Sequence, residues 1–204
     1  MKLIQLTATA IDDLRDGRAR GRHPDAVPCA LALGSFDGLH LGHRRLIAAV
    51  RAAQARLALP ASALFTFRRH PRQLLDPDGA PPLLTPWHER LALLEELGID
   101  LLVAADFCPA LARTPYDEFV RLFLVQHLRL RHMVAGHDVH LGAGRGGNAA
   151  TLAALGPALG YGFEEVPPLE VDGRVVSSSA IRARLAAGEV ADAAGLLGRP
   201  YALW

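Results

Sequence analysis

Residues 34–43 read GSFDGLHLGH, which places one acid, three glycines and two histidines directly after the apolar run CALAL. His40 and His43 are three positions apart, so on the first turn of a helix both imidazoles share a face, and Gly42 leaves the backbone bare between them. Gly34 ends the apolar run and Gly38 lies in the turn, where a backbone free of Cβ can bend sharply and approach a ligand. A helix beginning near His40 or Leu41 aims its unpaired amides and the positive end of its dipole at the carboxyl edge of the preceding strand. Imidazoles and amides then converge on one small volume, a cradle for phosphates. A second group has the same character. Ser177, Ser178 and Ser179 at a helix start offer hydroxyls and free amides, and Arg182 in the next turn can fork onto phosphate oxygens.

Other chemistries fit these residues less well. A zinc site needs a third and usually a fourth ligand, and a catalytic zinc helix carries a four-residue histidine spacing with a glutamate between. Ordinary helix capping would account for the three serines alone, but not for their pairing with the glycine and histidine stretch. Asp37 is expected to hold its own turn by bonding backbone two residues on, with metal binding as the alternative. Of the 22 basic residues all but Lys2 are arginine, so phosphate charge must be met by guanidinium groups, amides and histidines rather than by a core lysine. The net charge of +1 advertises neither a nucleic acid nor a membrane surface as partner. Cys29 and Cys108 have no metal or redox spacing and read as small buried apolar residues. The N-terminus lacks a secretory signal and no run of about 18 apolar residues occurs, which predicts a cytoplasmic protein.

The elements that must position these groups follow from periodicity. A chain of 204 residues, half of them apolar, has the length of one domain. From Cys29 onward short apolar runs alternate with stretches of helical period, predicting a parallel sheet covered by helices. CALAL is read as the first strand, followed by a helix over 41–58, a strand over 61–67, a helix opened by Thr85 and Pro86 and closed by Gly98, and a strand over 100–107. A second Thr-Pro opens a helix over 114–128, and a strand covers 131–136. After a glycine-rich segment comes a helix that Pro157 is expected to kink, then a strand leading to an Asp-Gly turn, and two short helices separated by Gly188. The proline-rich stretch from Leu75 to Leu84 reads as a mobile loop.

Taken together, these motifs resemble the prokaryotic FAD synthetases of the nucleotidyltransferase superfamily that carries an H-x-G-H signature. GSFDGLHLGH is similar to G-x-F-D-G-x-H-x-G-H, TFRRHP at 66–71 to T-F-x-P-H-P, GHDVHLGAGRGGN to G-x-D-F-x-F-G-x-x-R-x-G-[DN], and VSSSAIR to I-S-S-T-x-I-R. The resemblance implies an α/β, Rossmann-like nucleotidyltransferase fold with helices on both faces of a parallel sheet. It implies transfer of the AMP moiety of ATP to FMN, giving FAD and pyrophosphate, with Mg²⁺ accompanying ATP. His40, His43, Asp138 and Arg182 would be catalytic, and Gly34, Ser35, Phe36, Asp37, Gly38 and the three serines would hold the nucleotide. Thr66, His70, Pro71, Leu75, Val139, Leu141, Arg145 and Asn148 would hold the acceptor.

The chain departs from the pattern at the acceptor. Val139 and Leu141 stand in place of phenylalanines, Arg68 and Arg69 in place of a small or acidic residue and a proline, and Leu75 in place of another aromatic. FMN is therefore expected to lie against aliphatic side chains. Another phosphorylated acceptor on the same fold, or a non-catalytic flavin- or nucleotide-binding module, are the competing expectations. The final GRPYALW falls where bifunctional members of the resembled family continue, so a single domain over 1–204 without a riboflavin kinase domain is expected.

Overall fold

Six parallel strands form the centre of the computed structural model, which describes residues 1–19 and 21–202. They are β1 (Lys2–Leu6), β2 (Cys29–Leu33), β3 (Ala61–Phe67), β4 (Leu101–Ala105), β5 (Leu130–Gly136) and β6 (Gly162–Val166), in the spatial order β1-β4-β3-β2-β5-β6. Every residue of β2 and β4 is buried. This is why CALAL and LLVAA are continuous apolar runs rather than alternating ones: a central parallel strand is covered on both faces. From β2 the chain builds outward through β3 to β4 and then returns to lay β5 on the other side of β2. The reversal between β2 and β5 opens a crevice at their carboxyl ends, the place where open α/β sheets bind ligands.

On one face Ile4, Leu31, Phe65, Val103 and Met133 pack against Ile11 of α1 (Ala8–Arg15), Phe119 of α6 (Tyr116–Phe119) and Leu152 of α7 (Ala149–Leu159). Two single-turn helices lie earlier in the chain, α3 (Arg72–Leu75) and α5 (Pro109–Ala112). On the opposite face Ala30, Leu64, Leu102 and Val134 pack against Leu46, Ile47 and Val50 of α2 (Leu41–Arg56) and Leu94 of α4 (Trp87–Glu96). A third cluster joins Leu84 and Val176 to Ile181 of α8 (Ser178–Ala186) and to Leu196 and Leu197 of α9 (Val190–Leu197). It fastens the last two helices over the carboxyl edge of the sheet.

Several boundaries differ from the sequence reading. CALAL is the second strand, because KLIQL pairs in register with β4 at the sheet edge, Lys2 opposite Leu101 through Leu6 opposite Ala105. Only Ile4 and Leu6 of that strand are buried, so its apolar signal is half that of a central strand. Thr85 does not cap α4. Its amide donates to Asp37 instead, and the helix starts after Pro86. Past α6 the helix widens into π-helical turns over Val120–His127. Helix α7 runs through Pro157 as one element, the proline lying so near the end that little of the hydrogen-bond ladder is lost. The expected Asp-Gly turn joins a small hairpin, β7 (Glu170–Val171) and β8 (Arg174–Val175), with φ +51° at Asp172 and +71° at Gly173.

Candidate active site

The turn from Gly34 to His40 is held in a conformation its sequence does not favour. Phe36 and Leu39 have φ of +49° and +42°, and both side chains are fully buried, so tertiary packing over-determines the strained backbone. Gly38 has φ +84°, and a Cβ there would stand 2.9 Å from Leu84 Cδ1. Gly38 is therefore required by the packing of the 84–85 segment rather than by ligand approach. Gly34 has ordinary backbone angles, and the nearest atoms to an added Cβ belong to the Phe36 ring, at 3.3 Å.

Asp37 does not bond its own turn. Its carboxylate, 1% exposed, accepts from the amides of Leu84 at 3.0 Å and Thr85 at 3.1 Å and pairs with Arg182 Nη2. Arg182 Nε donates to Pro82 O at 2.7 Å, Ser178 Oγ to Asp37 O at 2.9 Å, and Arg199 Nη1 to Gly38 O at 2.7 Å. One buried carboxylate thus ties together the β2–α2 turn, the segment before α4 and the start of α8. On the other side of the turn, Ser35 O accepts from Thr66 Oγ1 at 3.1 Å and from Arg90 Nη1 at 2.8 Å, and Arg90 also donates to Phe67 O at 3.1 Å. Thr66 is fully buried in this role. Arg90, 2% exposed, joins the carboxyl ends of β2 and β3.

His40 is the N-cap of α2, and its Nδ1 accepts from the His43 amide at 3.3 Å. That bond places the proton of the neutral ring on Nε2. The rings of His40 and His43 stack, with centroids 3.7 Å apart and planes 16° apart, and Phe36 lies 5.3 Å from His43 on centroids. Burial pushes the His40 imidazole down to about 4, although Asp138 and Asp37 nearby favour its charged form. Burial also holds His43 well below the ordinary histidine value, with His40 and Arg90 adding to the shift. Near neutral pH both rings are uncharged in this state. His40 therefore offers a donor at Nε2 alone, because Nδ1 is used by the cap.

A cleft of about 330 Å³ lies over this platform, lined by Ser35, His40, His43, His70, Asp138, Ser177, Ser178, Ser179 and Arg182, with Gly42 between the histidines. Its apolar wall comes from Val166, Pro167, Pro168, Leu169 and Val176, and its far end from Gly136 and His137. The Val-Pro-Pro-Leu run, which starts at the last residue of β6, carries no motif signal in the sequence and reaches the cleft only through the fold. Ser177 caps α8 by accepting from Ala180 N at 3.2 Å, so capping and cleft lining coincide. Burial holds His70 below its ordinary pKa, reinforced by Arg182.

The remaining acceptor residues do not line this cleft. Gly142 and Gly147 press so closely on Tyr116 that a Cβ would stand 2.3 and 2.7 Å from its atoms. With the loop held there, Val139 and Leu141 pack against the core. Leu75 is 61% exposed, and Pro71 opens the single turn α3. Asn148 caps α7 in a reciprocal pair with Thr151, and Arg145 is exposed with φ +58°. Gly34, Phe36, Asp37 and Gly38 likewise support the cleft without lining it.

A family profile described as FAD synthetase matches residues 23–180. The chain belongs to the FAD synthetase family. Among curated relatives, this FAD synthetase-family chain is 34% identical over 176 residues to the bifunctional riboflavin kinase/FMN adenylyltransferase of Haemophilus influenzae, covering 86% of this chain and 57% of that protein. It is 34% identical over 175 residues to the protein of the same description from Escherichia coli K12, covering 86% and 56%, and 33% identical over 174 residues to that of Bacillus subtilis, covering 84% and 54%. The chain thus spans just over half the length of these relatives. A crystal structure of a protein described as a macrolide-efflux protein from Streptococcus pneumoniae superimposes with a TM-score of 0.78 at 24% identity, over 98% of this chain and 72% of the other, which shows the shared fold. Among the described residues, no helix is long and apolar enough to cross a membrane.

Proposed function

We propose that this FAD synthetase-family chain transfers the AMP moiety of ATP to FMN. An FMN phosphate oxygen forms a bond to the α-phosphorus of ATP, the bond from that phosphorus to the bridging oxygen breaks, and pyrophosphate leaves. No covalent enzyme intermediate is needed, so catalysis consists of holding two anions in line and stabilising the charge between them. The observation that carries the reading is the convergence on one cleft of His40, His43, the N-termini of α2 and α8 and Arg182. The amides at these helix starts are fixed dipoles aimed at phosphate. The His40 Nε2 proton is free of the cap and available to a phosphate oxygen, and anionic charge in the cleft favours protonation of both imidazoles.

Mg²⁺ bound with ATP fits this donor set. Asp138 lines the cleft and would hold it, whereas Asp37 is engaged by two amides and Arg182. An ion that rides on the triphosphate keeps most of its waters and needs few protein ligands. When bound, Mg²⁺ neutralises charge on the transferred and leaving phosphates. The reading includes a protein working in the cytoplasm, with neither nucleic acid nor membrane as partner.

The test is incubation of the chain with ATP, CTP or GTP against FMN and other phosphorylated acceptors, following pyrophosphate release and FAD formation. FAD from ATP and FMN is the expected result. Pyrophosphate release with another acceptor and none with FMN would overturn it.

A further inference from the structure

Arg90 of α4 is 2% exposed, yet its guanidinium bonds carbonyls rather than carboxylates. Nη1 donates to Ser35 O at 2.8 Å and to Phe67 O, at the last residue of β3, at 3.1 Å, while Nε and Nη2 are buried without a partner. Trp87, one helical turn earlier, lies 5.1 Å from the guanidinium carbon on its ring centroid. Burial disfavours the charge on Arg90, and the carboxylate that opposes this, Asp37, is bonded to Arg182 and to the amides of Leu84 and Thr85. Two carbonyl bonds need a donor but not a cation, and a buried cation without an ion pair costs stability that a neutral donor would not.

Ser35 lines the nucleotide cleft, and its carbonyl accepts from both Arg90 and Thr66 Oγ1. No peptide is cis among the described residues, and in a trans peptide the N–H and C=O point in opposite directions. With Ser35 O turned to Arg90 and Thr66, the Phe36 N–H is turned away from them, and among the described residues it bonds no acceptor. Resting on the adenylyl-transfer reading above, we infer that Arg90 is a positioning residue for the nucleotide phosphates. With Thr66 it turns the Ser35–Phe36 peptide so that the Phe36 N–H meets the phosphate chain, and its unpaired charge is balanced when that chain binds. Arg90 does not itself line the cleft, so it acts through this peptide and through its field, which is strong where water is excluded. The field reaches the cleft: burial first, and then the charge of Arg90 among others, disfavours protonation of His43 and His70, which line it.

The experiment titrates the full chain with ATP and with inorganic tripolyphosphate, each with Mg²⁺, by calorimetry, and measures adenosine by its competition with ATP, all without FMN. The variants are Arg90→Met, which removes charge and donors, Arg90→Lys, which keeps the charge, and Thr66→Val, which removes the second donor to Ser35 O. Circular dichroism establishes which are folded. Arg90→Met should weaken ATP and tripolyphosphate by about tenfold or more and leave adenosine unchanged, and Arg90→Lys should recover most of that loss. Thr66→Val should weaken both phosphate ligands by about threefold. An equal loss for adenosine, no recovery by lysine, or phosphate ligands bound as tightly as by the unaltered chain overturns the inference. Should Arg90→Met not fold, Thr66→Val decides, and unchanged tripolyphosphate affinity in that variant overturns it. An unaltered chain that binds ATP but forms no FAD when FMN is added overturns the adenylyl-transfer reading alone, and one that binds no ATP overturns both.

Discussion

Asp37 and Arg182, 145 positions apart in the chain, form an ion pair at the cleft that His40 and His43 line, with side chains 1% and 16% exposed. The same carboxylate accepts from two amides of the segment before α4, so charge at the cleft and closure of its floor depend on one group. Removing one partner leaves the other buried and uncompensated, which costs about 3–5 kcal/mol. Asp37→Ala and Arg182→Ala should each destabilise the fold by an amount of that order, and the double variant by less than the sum. Urea unfolding of the three variants measures this. Simple additivity would show that the pair is not coupled.

Arg182 and His43 should also matter to turnover beyond their structural effect. Alanine at either position, assayed at a temperature where the variant is folded, should lower kcat by at least about a hundredfold, as does loss of a preorganised transition-state donor. Near-normal kcat would remove that residue from the chemistry.

Gly38 and Gly34 should respond differently to alanine. At Gly38 the left-handed backbone and the 2.9 Å contact with Leu84 act together, so Gly38→Ala should cost more than about 1 kcal/mol. At Gly34 the backbone is ordinary and the contact is a ring edge at 3.3 Å, so the cost should be smaller. Thermal melts of the two variants, compared directly, test the order.

Stability should fall on acidification through the histidine range. Burial holds His40 at about 4, against about 6.5 in an unfolded chain. Between these values the unfolded state binds a proton that the folded state does not, so stability rises with pH across the window and is fully present above it. His40 contributes up to about 3 kcal/mol to that rise, and His43 adds in the same direction. His40→Asn, which preserves an N-cap acceptor, should flatten the slope by about one proton between pH 4 and 6.5. An unchanged slope in unfolding free energy against pH would show that His40 titrates normally.

What the sequence determined by itself was local. The buried runs of β2 through β5, the histidine spacing at the start of α2, the serine cap of α8 and the Asp-Gly hairpin rest on signals carried within a few residues, where periodicity and capping act. The cleft residues His40, His43, Asp138 and Arg182 were legible for the same reason, each lying in a short motif. The tertiary structure decided the partners. Asp37 finds its acceptor role 47 and 145 positions away, the edge strand β1 is recruited by β4, and Thr85 gives up its cap to satisfy a buried carboxylate. Burial, which no local pattern measures, holds the two imidazoles as a stacked neutral pair. The glycine loop that carries Val139 and Leu141 is held against Tyr116, and both side chains rest half-buried against the core.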